Sequence, residues 1–383
     1  HNWGDRSNYL SLIRSSVMAG DSAWDLLFGL GYFLPGFTGE GLLSDMSELP
    51  YIDIDKKWWN RNFMETSSVD GKYYSVTGDA ALSLLKSMHC IFVNLDLYEK
   101  LGVKGNLYEL VESGNWTLDK TAEICANLYA DLNGNTEIDK DDQLGLLIYA
   151  GNQTTGFLES CGVDIISREG KEFTFAFGNE HNANVIERLC RFLHESDGII
   201  YLSSLEDGKN EEIVLKSPFR NGNVLMTGGW LSHADSYRDL NFRYGVIPYP
   251  KFDENQQEYH TTAQTTYTVF SIPADAKNPD RSAAVLEAMA SESYRSVTPA
   301  YFETALKVKY ASDDDTVKMF DLIRDHISFD FGYIYTLSMN GISDKFKSAI
   351  NSNKPEWASN VAGFEATATA ALDTLLTAIR SAE

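Results

Sequence analysis

The sequence predicts an α/β protein of two lobes, and three observations carry that expectation. The chain has 383 residues, more than one hydrophobic core ordinarily holds. Helical and strand patterns alternate along it. No Pro- or Ser-rich tether interrupts them, so the lobes are expected to be joined by strands that cross from one to the other.

The elements follow in order. "NYLSLIRSSVMA" (8–19) places Tyr9, Leu12, Ile13 and Val17 on one helical face, with Gly20 as the stop. "AWDLLFG" reads as a short strand, "LGYFLPG" as a loop and "FTGEGLLSDM" as a helix. "KYYSVTG" (72–78) and "LLKSMHCIFVN" (84–94) read as two further strands. Thr117 caps a helix whose Ile124, Cys125, Leu128 and Tyr129 share a face. "LGLLIYA" is a strand, and "NVLMTGGW" (223–230) is a strand ending in a glycine turn. "YTVFSIP" (267–273) is another strand. Asn278 then caps a helix with Pro279 just inside it. Phe364, Ala368, Ala371, Leu375 and Ile379 form a final amphipathic stripe.

Composition excludes several partners. With 55 acidic against 32 basic residues the formal charge is −23, which opposes a phosphate backbone and an anionic membrane surface. The longest apolar runs fall far short of a membrane span, and the opening "HNWGDRSNYL" has no signal-peptide character. Cys90, Cys125, Cys161 and Cys190 follow no CxxC spacing, and each stands in an apolar segment. That pattern favours buried thiols over a zinc site.

Residues 131–142, "DLNGNTEIDKDD", crowd oxygen side chains at alternating positions. Counting from Asp131 puts Asp131, Asn133, Asn135, Glu137, Asp139 and Asp142 on positions 1, 3, 5, 7, 9 and 12 of an EF-type loop. Thr136 replaces the usual glycine of position 6, and Asp142 replaces glutamate at position 12. The expectation is a structural Ca²⁺ site of weak affinity, roughly 10⁻⁴ to 10⁻³ M, which suits calcium-rich surroundings outside the cell.

Ligand candidates cluster elsewhere. At Gly228, Gly229 and Trp230 a strand end offers open backbone beside an indole, and the apolar face of a pyranose ring stacks on such a surface. Tyr32, Asp79 and Tyr267 stand at other strand ends, where open α/β sheets bind ligands. Phe157, Tyr333 and Tyr335 are weaker candidates. Catalytic patterns are missing: there is no GxSxG, HExxH or Walker loop, and "GLG" at 29–31 lacks a third glycine at the dinucleotide spacing.

Seven segments then come in the order of a known family. They run from "AGDSAWDLLFG" through "EGLLSDMSELPYIDIDKKWWN", "DGKYYSVTGDAALS", "FVNLDLYEKLG", "LYELVESGNWTLDK" and "NGNVLMTGGW" to "DRSAAVLEAMASESYRSVTPAYFETALKVKYASDDDTVKMFDLI". The chain resembles the extracellular solute-binding proteins of family 1, the sugar-capture components of bacterial ABC importers. The acidic loop followed by "QLGL" resembles an insertion of Gram-positive members. The resemblance implies a type II periplasmic-binding fold with hinge-crossing strands. Lobe 1 would be 1–88 with 265–302, lobe 2 would be 89–264 with 303–350, and 351–383 a C-terminal helical segment. By the same analogy Trp230 stacks on the sugar, Tyr32 and Asp79 come from the first lobe, and Tyr333 or Tyr335 from the late aromatic segment.

In one respect the chain departs from the family, whose members place a strand–helix–strand unit before the segment matching "HNWGDRSNYL". Here that unit is absent, along with any lipoprotein anchor. An unfilled first strand would leave buried backbone groups unpaired at about 1–3 kcal/mol each. Upstream residues, or another segment, are therefore expected to fill the gap.

The expected protein is a monomeric, non-enzymatic, calcium-stapled binding component. It would be extracellular, lipid-anchored on a Gram-positive cell, closing on an oligosaccharide and delivering it to ABC permease subunits. The rivals are an extracellular glycosidase with a carboxylate pair, and the same fold binding a peptide or cationic solute.

Overall fold

The computed structural model describes residues 6–136, 141–202, 218–310 and 313–381. Its strands are β1 (Leu27–Leu30), β2 (His89–Asn94), β3 (Leu144–Tyr149), β4 (Ile166–Glu169), β5 (Glu172–Phe175), β6 (Ile199–Leu202), β7 (Val224–Trp230), β8 (Tyr244–Ile247), β9 (Thr261–Thr262), β10 (Thr268–Ser271) and β11 (Ile327–Ser328).

Five of them form one sheet in the order β6-β3-β7-β2-β8. β3 runs parallel to β6 and β7, while β2 runs antiparallel to β7 and β8. Every residue of β2, β3, β7 and β8 is buried, which is why these strands read as continuous apolar runs rather than alternating ones. The helix Glu180–His194 turns Val185, Ile186, Leu189, Cys190 and Leu193 inward, and Asn179 caps it by accepting from Asn182 N. All four cysteines are buried and free, as their apolar surroundings predict.

The expected glycine turn after β7 is instead part of the strand, which runs through to Trp230. Gly228 and Gly229 are required there by close packing. A Cβ at Gly228 would lie 2.6 Å from Tyr249 Oη, and one at Gly229 would lie 2.6 Å from His233 Nδ1.

In the other lobe β1 pairs antiparallel with β10, Leu27 opposite Ser271 and Leu30 opposite Thr268. Val76 bridges to Phe270 on the far side of β10. Among the described residues β1 pairs with β10 alone, and its Phe28 is 47% exposed. The helices Arg6–Ala19 and Pro279–Glu292 match expectation. Gly20 stops the first in a left-handed conformation, and Asn278 caps the second through Arg281 N. Leu12, placed on the buried face by periodicity, points outward at 53% exposure, while Ile13 and Val17 are buried.

Four other expectations are corrected. "KYYSVTG" makes only isolated bridges, because Val69 and Lys72 first pair with each other around a turn at Asp70 and Gly71. The strand expected from residue 84 begins at His89, since Leu82–Lys86 forms a helical turn that buries Leu84 and Leu85. "FTGEGLLSDM" is a 3-10 turn, Pro35–Glu40, stopped by Gly41 at φ 68°. The helix capped by Thr117 is present but ends at Cys125, where Ala126 turns extended and Asn127 takes a positive φ.

The chain passes between lobes along neighbouring segments. Met88 bridges Ala263, Gln264 N donates to Ser87 O at 2.9 Å, and Leu231 N donates to Met88 O at 3.0 Å. β9 continues this crossing, pairs parallel with β11 and receives support from His326 O.

Candidate functional site

The crossing segment Thr261–Tyr267 organises the candidate residues into two aromatic groups. The first is a chain of ring contacts. Phe157 lies 4.9 Å from Tyr249, Tyr249 5.8 Å from His89, His89 5.7 Å from Trp230, and Trp230 4.7 Å from His233. Phe157 is fully buried and Trp230 is 8% exposed. His89 and Trp230 are register partners on β2 and β7, so their side chains share one face of the sheet. The indole N–H of Trp230 donates to His89 Nε2 at 3.0 Å. His89 Nδ1 reaches Thr262 O at 2.9 Å, on the crossing segment itself. Burial pushes the pKa of His89 down to about 4 and that of His233 to about 3, so both rings are neutral near pH 7.

The second group gathers Tyr32, Tyr267 and Tyr333 on the same segment. Tyr32 N donates to Thr265 O at 3.0 Å, and Tyr333 Oη donates to Ala263 O at 3.3 Å. Tyr267 sits edge-on to Phe63 and Phe329, at 6.1 and 5.8 Å. Its buried hydroxyl has no hydrogen-bond partner, and burial raises its pKa well above the usual phenol range.

Glu159 joins the groups from below. Its backbone N–H donates to Thr262 Oγ1 at 3.2 Å. Burial, then the neighbouring Asp330 carboxylate, raises its pKa to about 8. Burial likewise raises Asp330 to about 7, although backbone N–H groups of Ile165, Ile166 and Tyr333 bond to it at 2.9–3.1 Å. Asp330 is thus engaged in clamping backbone from two segments.

Two candidates lie apart from the crossing segment. Asp79 Oδ1 accepts from Thr298 Oγ1 at 2.5 Å, and burial raises its pKa. Tyr335 Oη donates to Ser67 O at 2.9 Å, on the helix Arg61–Ser67. Sequence reasoning missed His89, Tyr249, Glu159 and Asp330. The only trace of His89 is an imidazole at the head of the apolar run "HCIFV".

In the acidic loop, Asp131 accepts from Gly134 N and Thr136 N at 2.6 and 2.9 Å, and Asn133 Oδ1 from Asn135 N at 2.9 Å. Thr136 takes the left-handed conformation, φ 63°, that glycine ordinarily supplies. Asp142 is buried and accepts from Leu132 N and Tyr129 Oη, both at 3.1 Å. Glu137 and Asp139 lie outside the described residues. Among the described residues no three His, Cys, Asp or Glu side chains gather as a metal site.

Two α/β lobes joined by crossing strands, with aromatic side chains gathered on the crossing, define a two-lobed binding protein. The chain belongs to the bacterial extracellular solute-binding proteins, whose family model matches residues 5–295. No curated protein matches the chain. Solved structures share its fold over nearly all its length. The GacH receptor of Streptomyces glaucescens, solved unliganded and with acarbose, is 17% identical with a TM-score of 0.61, covering 97% of this chain and 88% of that one. The galacto-N-biose-/lacto-N-biose I-binding protein of an ABC transporter from Bifidobacterium longum, in complex with lacto-N-biose, is 13% identical with a TM-score of 0.61, covering 97% and 88%. A cyclo/maltodextrin-binding protein complexed with maltotetraose is 14% identical with a TM-score of 0.58, covering 98% and 87%. Among the described residues no helix is long and apolar enough to cross a membrane.

Proposed function

We propose that the chain is the substrate-binding component of an ABC importer, closing its lobes on a carbohydrate, an oligosaccharide, and handing it unaltered to permease subunits. The observation that carries this reading is the chain of rings from Phe157 through Tyr249 and His89 to Trp230 and His233, built against the segment that crosses between lobes. Movement at the crossing would turn an aromatic wall toward or away from a sugar face. Structures with the same fold hold acarbose, lacto-N-biose and maltotetraose, which supports a saccharide over a peptide or a polyamine. The work is binding rather than catalysis. The Asp330 carboxylate, which a glycosidase reading would enlist, is engaged with three backbone N–H groups.

The same reading places the protein outside the cell as a monomer, lipid-anchored on a Gram-positive surface, with Ca²⁺ stapling loop 131–142. The left-handed Thr136 supports that calcium reading, since it gives the loop the sharp turn an EF-type site needs. Thermal-shift screening of the purified chain tests the function. A ligand at 100 times its Kd adds about 2.7 kcal/mol to stability, so a bound sugar raises Tm by several degrees. A shift with peptides or polyamines and none with sugars would overturn the ligand class.

A further inference from the structure

We infer that His89 is the positioning residue that sets the plane of the Trp230 indole and ties that ring to the crossing segment. The inference rests on the reading of Trp230 as a sugar-stacking surface. His89 and Trp230 form the last register pair between β2 and β7. One residue earlier the chain is at Met88, bridged to Ala263. The imidazole therefore stands where the lobe 2 sheet meets the crossing.

Its hydrogen bonds follow from what surrounds it. A ring nitrogen that accepts from an indole N–H carries no proton, so the imidazole proton is on Nδ1 and is donated to Thr262 O. Asn152 O also lies 2.9 Å from Nε2. In the other tautomer Nε2–H would donate to Asn152 O, but that form makes one hydrogen bond, leaves the buried indole N–H without an acceptor and sets a bare Nδ1 against Thr262 O, whereas the Nδ1–H form makes two and satisfies the indole. On the indole's other side the His233 ring stands perpendicular at 4.7 Å, held in the space that Gly229 leaves by having no Cβ.

An indole has two side-chain torsions. A directional N–H bond at one edge and a perpendicular ring beside it fix both. Because Nδ1 is anchored on Thr262, a shift of β9 when the lobes move carries the imidazole, and with it the indole. His89 so couples lobe position to the orientation of the stacking surface.

The test uses the full chain with ¹⁵N-labelled tryptophan and histidine. Loss of a signal in Trp230→Phe identifies the indole resonance. Wild type is expected to show coupling between that indole nitrogen and an imidazole nitrogen across the hydrogen bond. His89→Leu should abolish the coupling and move the indole resonance. It should also weaken the tightest binder among maltotetraose, lacto-N-biose and acarbose by about tenfold, the worth of one hydrogen bond at a buried site. His89→Gln, which keeps an acceptor and is less disruptive to folding, should restore most of the affinity. Coupling absent from wild type, or an indole resonance unmoved in both His89 variants, would overturn the inference. So would unchanged sugar affinity in both variants while Trp230→Ala abolishes binding, a result that leaves the reading of Trp230 standing. If Trp230→Ala binds sugar as wild type does, the reading falls and takes the inference with it.

Discussion

Tyr267 lies so close to Gly31 that a Cβ on the glycine would stand 2.6 Å from two carbons of the phenol ring. Gly31 N also donates to Tyr267 O at 2.8 Å, so backbone and ring are clasped together where β1 ends beside β10. Gly31→Ala must push the ring out of its contacts with Phe63 and Phe329. Overpacking of this kind costs about 1–3 kcal/mol, and thermal unfolding should show a Tm lower by several degrees. Tyr267→Phe removes a buried hydroxyl that has no partner and is expected to leave Tm unchanged or raised.

The buried titratable groups give opposing pH dependences. The folded chain keeps His89 and His233 neutral down to about pH 4 and 3, whereas the unfolded chain protonates them near 6.5. Stability from these two is complete above pH 6.5 and is lost as pH falls. Glu159 and Asp330 hold protons up to about pH 8 and 7, whereas unfolded carboxyls release them near 4. Their contribution is complete below that value and is lost as pH rises toward 8. Of these four groups only the carboxyls still titrate above pH 6.5, so Tm should decline between pH 6.5 and 8, before the unfolded chain's cysteines begin to ionise. Glu159→Gln should flatten that decline, and parallel curves for the two proteins would contradict the assignment.

Arg168, on β4, reaches the end of a helix about a hundred positions earlier, in the segment that the resemblance would assign to the other lobe. Its Nη1 donates to Glu65 O at 2.9 Å and Ser68 O at 3.1 Å, at the C-terminus of the helix Arg61–Ser67, and its guanidinium lies 5.0 Å from the Phe173 ring. A cation at a helix C-terminus is favourable, but this one is exposed, so its net worth is about 1 kcal/mol. Arg168→Ala removes a contact specific to this lobe arrangement. Sugar affinity should therefore change by about fivefold in either direction, without any substitution near Trp230. Titration calorimetry on the variant checks this, and an unchanged affinity would show that the contact survives lobe movement.

Calcium is tested alone. If loop 131–142 is stapled by the ion, chelation lowers Tm and millimolar calcium restores it. Asp131→Ala, which removes the acceptor of Gly134 N and Thr136 N, should abolish the calcium response. A Tm indifferent to chelator would reduce the loop to an acidic turn.

What the sequence disclosed depended on how local the signal was. β3 was legible because it is buried on both faces and reads as an unbroken apolar run, while β2 and β7 were legible in their apolar stretches but not in where β2 starts or β7 ends. The caps at Thr117 and Asn278 were legible because a cap acts on N–H groups three residues away. The helical turn Leu82–Lys86 was not, since a short apolar run carries no period to separate helix from strand. The candidate site was half legible: Trp230, Tyr32 and Tyr267 were visible as aromatics at strand ends, and Phe157 and Tyr333 only as weaker candidates. Their organiser was hidden. His89 meets Trp230 across 141 positions and Thr262 across 173, separations at which nothing in the local pattern reports contact. The glycines at 228 and 229 were visible, but the packing of Tyr249 and His233 that requires them was not.

The central claim is that two lobes close on a saccharide and let it go unaltered. Small-angle scattering during a titration with maltotetraose, lacto-N-biose or acarbose, followed by chromatography of the recovered sugar, tests it most directly. The account predicts a saturable fall in radius of gyration with one sugar per chain and every sugar recovered intact. A radius unmoved by all three sugars, or shortened products in the eluate, would contradict it.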